Sequence, residues 1–273
     1  MPEGHTVHRH ARQLAAHLGG VALRVDSPQG RFAAGAAAVD GLALDGAEAW
    51  GKHLLLRFDA PSGSDRFLHV HLGLFGKWLL GTGEPPQPRG ALRLRLVGPG
   101  DLPSWAELRG PTACELMDDA GRGALVARLG PDPLRPDADP GRAWERVHRS
   151  RQNVAALLMD QSVLAGVGNV YRAEVLYRAG LSPRTPGSAL AEEDWRRLWD
   201  DLVVLMRAGV SSGRIVTTER EHRSRASGPA RREDAHYVYR RQGLGCRVCA
   251  TPVQVADLVG RRLYWCPDCQ SPG

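Results

Sequence analysis

Lysine is almost missing from this chain. All but two of its 36 basic residues are arginine, the exceptions being Lys52 and Lys77. Long apolar runs are missing too: none approaches the ~20 residues that a membrane-spanning helix needs, so no span is expected. No signal-type segment precedes the first polar residues, and a cytoplasmic protein of bacterial type is expected. Cysteine is scarce and too unevenly placed for a disulfide framework. There are five; four fall in the last 30 residues, and Cys114 stands alone. No internal repeat is visible, which argues against a solenoid.

What is present describes a folded protein with an uneven charge. At 273 residues the chain has room for two domains and a small appendage, and 42 % hydrophobic with 24 % charged residues is ordinary for a globular chain. Residues 1–140 hold 15 basic and 16 acidic side chains, whereas residues 141–273 hold 21 and 14. The excess positive charge therefore lies in the second half, and there it is all arginine. Guanidinium forks suit phosphate oxygens, so a polyanionic partner such as nucleic acid is favoured over an arginine-rich composition without a role.

The patterning changes along the chain. A helical stretch from Val7 to Leu18 leads into short alternating segments, "VALRVDS", "HLLLRFD", "RFLHVHLG" and "ALRLRLVG", with the period of two of half-buried antiparallel strands. The fold class expected is α+β. Residues 1–130 form a β-sandwich, 131–235 a helical domain and 236–273 a cysteine-bearing finger. "GPDPLRPDADPGR" reads as a linker. "AWERVHRSRQNVAALLMD", "NVYRAEVLYRAG" and "EEDWRRLWDDLVVLMRAG" read as helices, and the arginine-rich residues 211–235 as an exposed loop.

Several clusters carry chemistry. Cys246 and Cys249 form one C-x-x-C pair, and Cys266 and Cys269 a second after 16 intervening residues. This spacing suits four thiolates around one structural Zn²⁺ ion, with a disulfide pair as the alternative. Between the pairs, Arg261 and Arg262 sit beside Tyr264 and Trp265 at an expected hairpin tip. They are either a phosphate grip with stacking aromatics or solvated arginines over a packed aromatic pair. Gly166 and Gly168 lead to Asn169, where a helix begins, as a phosphate clamp at its N-terminus or a plain cap. Lys52 lies at a strand edge, as a functional cation or a solvated charge. Leu74 and Phe75 lie between Gly73 and Gly76, as apolar tips of an exposed turn or a loop folded onto its own core. At the start, "MPEG" places Pro2 where removal of Met1 would free a secondary amine beside Glu3, a nucleophile if it is more than an extended lead-in.

Four of these stretches, "MPEG", "GKHLLL", "LMDQSVLAGVGNVYRAE" and "CRVC…RRLYWCPDCQ", occur in one order across nearly the whole chain. In that order the sequence resembles the formamidopyrimidine-DNA glycosylase/endonuclease VIII family. "AELRGPTACELM" and "QNVAALLMDQSVLAGVGN" lean toward the endonuclease VIII branch. The resemblance implies a helix–two-turn–helix in the helical domain, a zinc ribbon at the C-terminus, damaged DNA as partner and a monomer. It implies base-excision repair: Pro2 as Schiff-base nucleophile, Glu3 as general acid, Lys52 in the first elimination, and Arg261 on phosphates and in the second. It also implies Asn169 on the DNA backbone, Leu74 and Phe75 as the wedge, and Arg128 in DNA contact. Oxidised pyrimidines are the favoured lesion. One departure is Thr6, where the family often has glutamate, so a lyase with weak glycosylase activity is an alternative, as is a non-catalytic DNA-structure binder. A tautomerase-like enzyme with an N-terminal proline would need neither the ribbon nor the arginine-rich half.

Overall fold

The computed structural model describes residues 2–61, 64, 66–225 and 227–271. They form two compact units, 1–128 and 129–273. Among the described residues no helix is long and apolar enough to cross a membrane.

The first unit opens with helix α1 (Gly4–Leu18), whose buried Val7, Ala11, Leu14 and Leu18 recur at four, three and four residues and so share one face. After β1 (Arg24–Asp26) and a short helix, α2 (Ala33–Val39), come seven strands: β2 (Leu44–Trp50), β3 (His53–Phe58), β4 (Phe67–His71), β5 (Lys77–Thr82), β6 (Leu92–Val97), β7 (Ser104–Arg109) and β8 (Ala113–Met117). Helix α3 (Asp119–Ala127) closes the unit. The strands form two antiparallel four-stranded sheets, in the orders β1-β6-β7-β5 and β2-β3-β4-β8. Alternation places Leu54, Leu56, Phe58, Leu68 and Val70 of one sheet, and Leu94, Leu96, Ala106 and Leu108 of the other, in one core with the apolar face of α1. The sandwich read from "LRLRLV" and "FLHVHL" is therefore present, with α1 part of its core.

The second unit contains α4 (Pro140–His148), α5 (Val154–Leu157), α6 (Asn169–Arg178), α7 (Glu192–Ser212) and the hairpin β9 (Gln254–Leu258) and β10 (Arg261–Trp265). Helix α6 is its axis, with every residue from Asn169 to Tyr177 buried. Val175, Leu176 and Tyr171 pack with Trp195, Leu198, Leu202 and Met206 of α7, while Val170, Ala173 and Tyr177 pack with Tyr237, Tyr239, Tyr264 and Cys266.

Three expectations are corrected here. The stretch 143–160 is two short helices, not one. Asn153 caps α5 by accepting a hydrogen bond from Ala156 N at 2.8 Å, and Ser150 Oγ accepts one from Gln152 N at 3.1 Å. Those local bonds end the helix between them. The proline-rich stretch from 130 is not a free linker at its start: Leu129 to Pro133 are buried, and Gly130 N donates to Gln161 O at 2.9 Å while Ala165 N donates to Pro131 O at 3.0 Å. The stretch expected as a loop over 211–235 starts inside α7, and its described remainder is partly internal. Thr217, Thr218 and Asp234 are buried, and Asp234 accepts hydrogen bonds from Ser224 and Arg247.

Candidate functional site

Glu3 is the N-cap of α1 in extended conformation, and its carbonyl accepts Thr6 N at 2.9 Å, starting the helix. Its side chain is fully buried, and Pro2 precedes it half-buried. One turn of helix anchored by Val7 and Ala11 thus fixes the chain's first described residue against the sandwich. His5, in the same turn, is held near pKa 4 by burial first and by neighbouring positive charge second, so it is neutral at neutral pH. Thr6 contributes a hydroxyl 3.2 Å from His5 Nε2 and no carboxylate.

Strands β2 and β3 are joined by the two-residue turn Gly51–Lys52, since Trp50 pairs with His53. The first turn residue has φ 59°, which glycine adopts without strain, and the turn presents Lys52 at the sheet's end. Next to it the sheet's second face gathers histidines. His53 opposes His71, and His69 opposes Glu115 on β8. His53 Nδ1 lies 2.9 Å from His69 Nε2, and His69 Nδ1 lies 2.9 Å from Glu115 Oε1. Burial, then His69, His71, Arg128 and Lys52, push His53 down to about 3, and burial with His69 and Lys52 also lowers His71. Lys52 and the exposed Arg128, which caps the C-terminus of α3, therefore act on one half-buried imidazole. The motif reading missed this cluster, although "HVH" in a strand places both histidines on one face.

Leu74 and Phe75 occupy the turn after β4, where Leu72 O accepts Gly76 N at 2.9 Å. A Cβ on Gly76 would lie 2.2 Å from that oxygen, so the turn requires glycine there. Leu74 is 48 % and Phe75 85 % exposed, the apolar tips that the flanking glycines suggested.

In the second unit the loop before α6 is braced by Gln161, whose Nε2 donates to Val167 O at 3.0 Å and whose Oε1 accepts Gly166 N at 3.0 Å. Gly168, not Asn169, is the cap of α6, and Asn169 is its first residue. Asn169 Nδ2 donates to Arg262 O at 2.9 Å, and its Oδ1 accepts from Arg172. Asn169 thereby ties the helix start to the hairpin that bears Arg261. The hairpin turns through Val259 and Gly260, both left-handed (φ 48° and 67°), as a tight two-residue turn requires, and Arg261 is exposed at its exit. The aromatic pair is not displayed at the tip. Tyr264 is buried edge-on to Tyr239 at 5.3 Å, and Trp265 lies under Arg184 at 5.5 Å.

Below the hairpin the Sγ atoms of Cys246, Cys249, Cys266 and Cys269 all lie within 4.8 Å of one another, a set that can hold a metal ion. Cys249–Cys266 and Cys246–Cys269 separations of 3.4 and 3.8 Å exceed a disulfide's ~2.05 Å. Behind them stands Glu174 of α6, fully buried, which sequence reasoning also missed. Its Oε1 accepts Val238 N at 2.9 Å and Tyr239 N at 2.7 Å; its Oε2 accepts Tyr237 N at 2.7 Å and the Thr217 hydroxyl. One carboxylate thus pins the segment leading to the first cysteine pair.

Residues 1–110 match the formamidopyrimidine-DNA glycosylase N-terminal domain, and residues 129–221 the formamidopyrimidine-DNA glycosylase H2TH domain. The chain is 46 % identical to endonuclease 8 1 of Mycobacterium tuberculosis, over 99 % of this chain and 100 % of that protein. It is 30 % identical to the formamidopyrimidine-DNA glycosylase of Geobacillus kaustophilus, over 86 % and 84 %. The crystal structure of the MutM (Fpg) protein from Thermus thermophilus superposes with a TM-score of 0.74 at 30 % identity, each chain covered completely. Two models of one family match most of the chain and a relative at 46 % identity matches along its whole length, so the chain belongs to the formamidopyrimidine-DNA glycosylase/endonuclease VIII family.

Proposed function

We propose that the protein is a bifunctional DNA glycosylase and abasic-site lyase that acts on oxidised bases, pyrimidines preferred. The observation that carries this reading is the start of α1: a proline directly before a fully buried glutamate, held by a packed helix. After removal of Met1, Pro2 is a secondary amine. Glu3 protonates the deoxyribose ring oxygen so that the ring opens. The amine attacks C1′, the bond to the base breaks with its electron pair leaving on the base, and an iminium joins Pro2 to the sugar. The iminium acidifies C2′. Loss of that proton, assisted by Lys52, expels the 3′ phosphate, and a second elimination releases the 5′ phosphate.

The remaining residues bind DNA. The exposed Leu74 and Phe75 fill the gap left by a flipped nucleotide, which must leave the stack before C1′ can be reached. Arg128 contacts DNA, and Asn169 and Arg261 hold backbone phosphates, the latter two from the arginine-rich second half. The four thiolates hold one Zn²⁺: tetrahedral Zn–S bonds of ~2.3 Å imply S–S edges near 3.8 Å, against 3.4 and 3.8 Å for two of the edges and at most 4.8 Å for the rest. With no open coordination position the ion is structural and takes no part in the reaction. The ribbon from 236 onward, the helical segment 131–235 before it, a monomeric state and a bacterial cytoplasmic setting belong to the same reading.

End-labelled duplexes carrying one oxidised pyrimidine, one 8-oxoguanine or one abasic site test it. Incision of the pyrimidine duplex, leaving phosphate at both ends of the gap and lost in Pro2→Ala, is expected. Incision of the abasic duplex alone would favour the lyase reading that Thr6 suggests. Binding without incision of any duplex would contradict catalysis.

A further inference from the structure

Helix α6 reaches the four-cysteine site through a second side chain besides Glu174. Tyr177 follows Glu174 by three residues and so lies on the same side of the helix. Glu174 fixes the backbone of Tyr237 to Tyr239, whereas Tyr177 places its hydroxyl 3.1 Å from the Sγ of Cys246 itself. Both partners are buried, at 7 % and 5 % exposure. The Tyr177 ring is held in place: it stacks on Tyr237 at 4.7 Å, 26° from parallel, in one apolar cluster with Val170, Ala173, Val238 and Val253. Tyr237 is anchored in turn, its own hydroxyl accepting Glu219 N at 3.0 Å. The second cysteine pair is tied to the end of the same helix. Gln270 accepts Cys266 N at 2.9 Å and donates to Leu181 O at 2.9 Å.

We propose that Tyr177 supports the metal site: its hydroxyl donates a hydrogen bond to the Cys246 thiolate, which tightens the hold on the ion and slows its release. The proposal rests on the reading of the four cysteines as one Zn²⁺ site. A thiolate that binds metal has given up its proton, so the hydroxyl is the donor on the 3.1 Å contact. One Zn²⁺ among four thiolates carries a net charge of two minus. Water can solvate that charge at the exposed Cys249, whereas Cys246 and Cys266 lie buried among apolar side chains. A buried anion is costly unless donors meet it. Among the described residues, the donors recorded on the Cys246 sulfur are the Tyr177 hydroxyl and, at 3.5 Å, the amide of Val248. Phenylalanine at 177 would leave that sulfur with the longer of the two.

Tyr177→Phe removes one oxygen and keeps the stacked ring. Tyr237→Phe is the control, since it removes from the same stack a hydroxyl that bonds to Glu219 and His222 instead. The full-length wild type and both variants are loaded with Co²⁺, and their Zn²⁺ affinities are measured against a competing chelator. The thiolate-to-Co²⁺ charge-transfer band reports the energy of the sulfur lone pairs. Loss of a donor raises that energy, so the band of Tyr177→Phe is expected at longer wavelength than that of wild type, and Tyr237→Phe is expected to keep the wild-type band. Zn²⁺ is expected to bind Tyr177→Phe roughly 10- to 100-fold more weakly, as when other partners that support a metal's ligands are removed. An unshifted band in Tyr177→Phe, Zn²⁺ affinity within about twofold of wild type, or the same band shift in Tyr237→Phe would each overturn the role of Tyr177. Wild-type protein that takes up no ion, or that binds Co²⁺ without four-thiolate bands, removes the metal reading and the proposal with it.

Discussion

Replacing Glu174 by glutamine changes one atom and tests how the second unit is held together. The carboxylate accepts four hydrogen bonds, two on each oxygen, and is fully buried. Glutamine keeps one accepting oxygen and turns an NH₂ toward the other two donors. The less costly orientation faces the NH₂ toward Tyr237 N and Thr217, because the Thr217 hydroxyl has a second acceptor, Ala235 O at 3.1 Å. Two charge-assisted bonds are then lost and the Tyr237 amide is orphaned. At ~1.5–3 kcal/mol for each charged hydrogen bond, the cost is about 3–6 kcal/mol. That is a large share of the ~5–15 kcal/mol that holds a typical domain together. Hydrogen exchange reads the effect locally: the amides of Tyr237, Val238 and Tyr239 are expected to exchange roughly 10²- to 10⁴-fold faster in the variant. Unchanged protection at these three amides, or a loss of stability below about 1 kcal/mol, would refute the pinning role of the carboxylate.

Two further outcomes follow from named groups. Chelation of the metal is expected to melt the β9–β10 hairpin and abolish DNA binding, since binding energies of roughly 10–16 kcal/mol fold comparable thiolate sites. In Cys266→Ser, elemental analysis after dialysis is expected to show the ion lost, and retention of one ion per chain would contradict a four-thiolate site. Acid weakens the first unit through the buried His5 and the half-buried His53. His5 falls from 6.5 to about 4 and His53 from 6.5 to about 3 on folding, so the folded state binds fewer protons than the unfolded chain. Their stabilisation is complete above pH 6.5 and is lost as the pH drops toward 4 and 3, with about 3 kcal/mol at stake for the almost fully buried His5. Urea unfolding of the first unit at pH 7, 5.5 and 4.5 checks this, and a flat profile would contradict it.

Strand segments with strict alternation were legible because a period of two and one buried face imply each other: "LRLRLV" buries each leucine and turns Arg93 and Arg95 outward. The cysteine quartet was legible because its spacing has few other physical uses. Elements set by contacts distant in sequence were not. Nothing local in "RAEVLYR" shows that Glu174 will meet the backbone some 60 residues later, and Glu115 reads as an ordinary surface charge until β8 pairs with β4. The aromatic pair after Arg262 stayed open between display and packing for the same reason, since its burial depends on Tyr239 and Arg184 rather than on its neighbours in sequence. Asn169 was legible as the start of the helix, whereas the cap itself is Gly168, which supplies the extended conformation.

The most direct test of the central claim is borohydride trapping of the purified, Met1-processed protein on an abasic-site oligonucleotide, with the adduct mapped by peptide mass. A covalent link at the Pro2 nitrogen, absent in Pro2→Ala and in protein that retains Met1, is the expected result. No adduct, with DNA binding intact and the N-terminus processed, would contradict the iminium chemistry and leave a DNA-binding protein on a glycosylase fold.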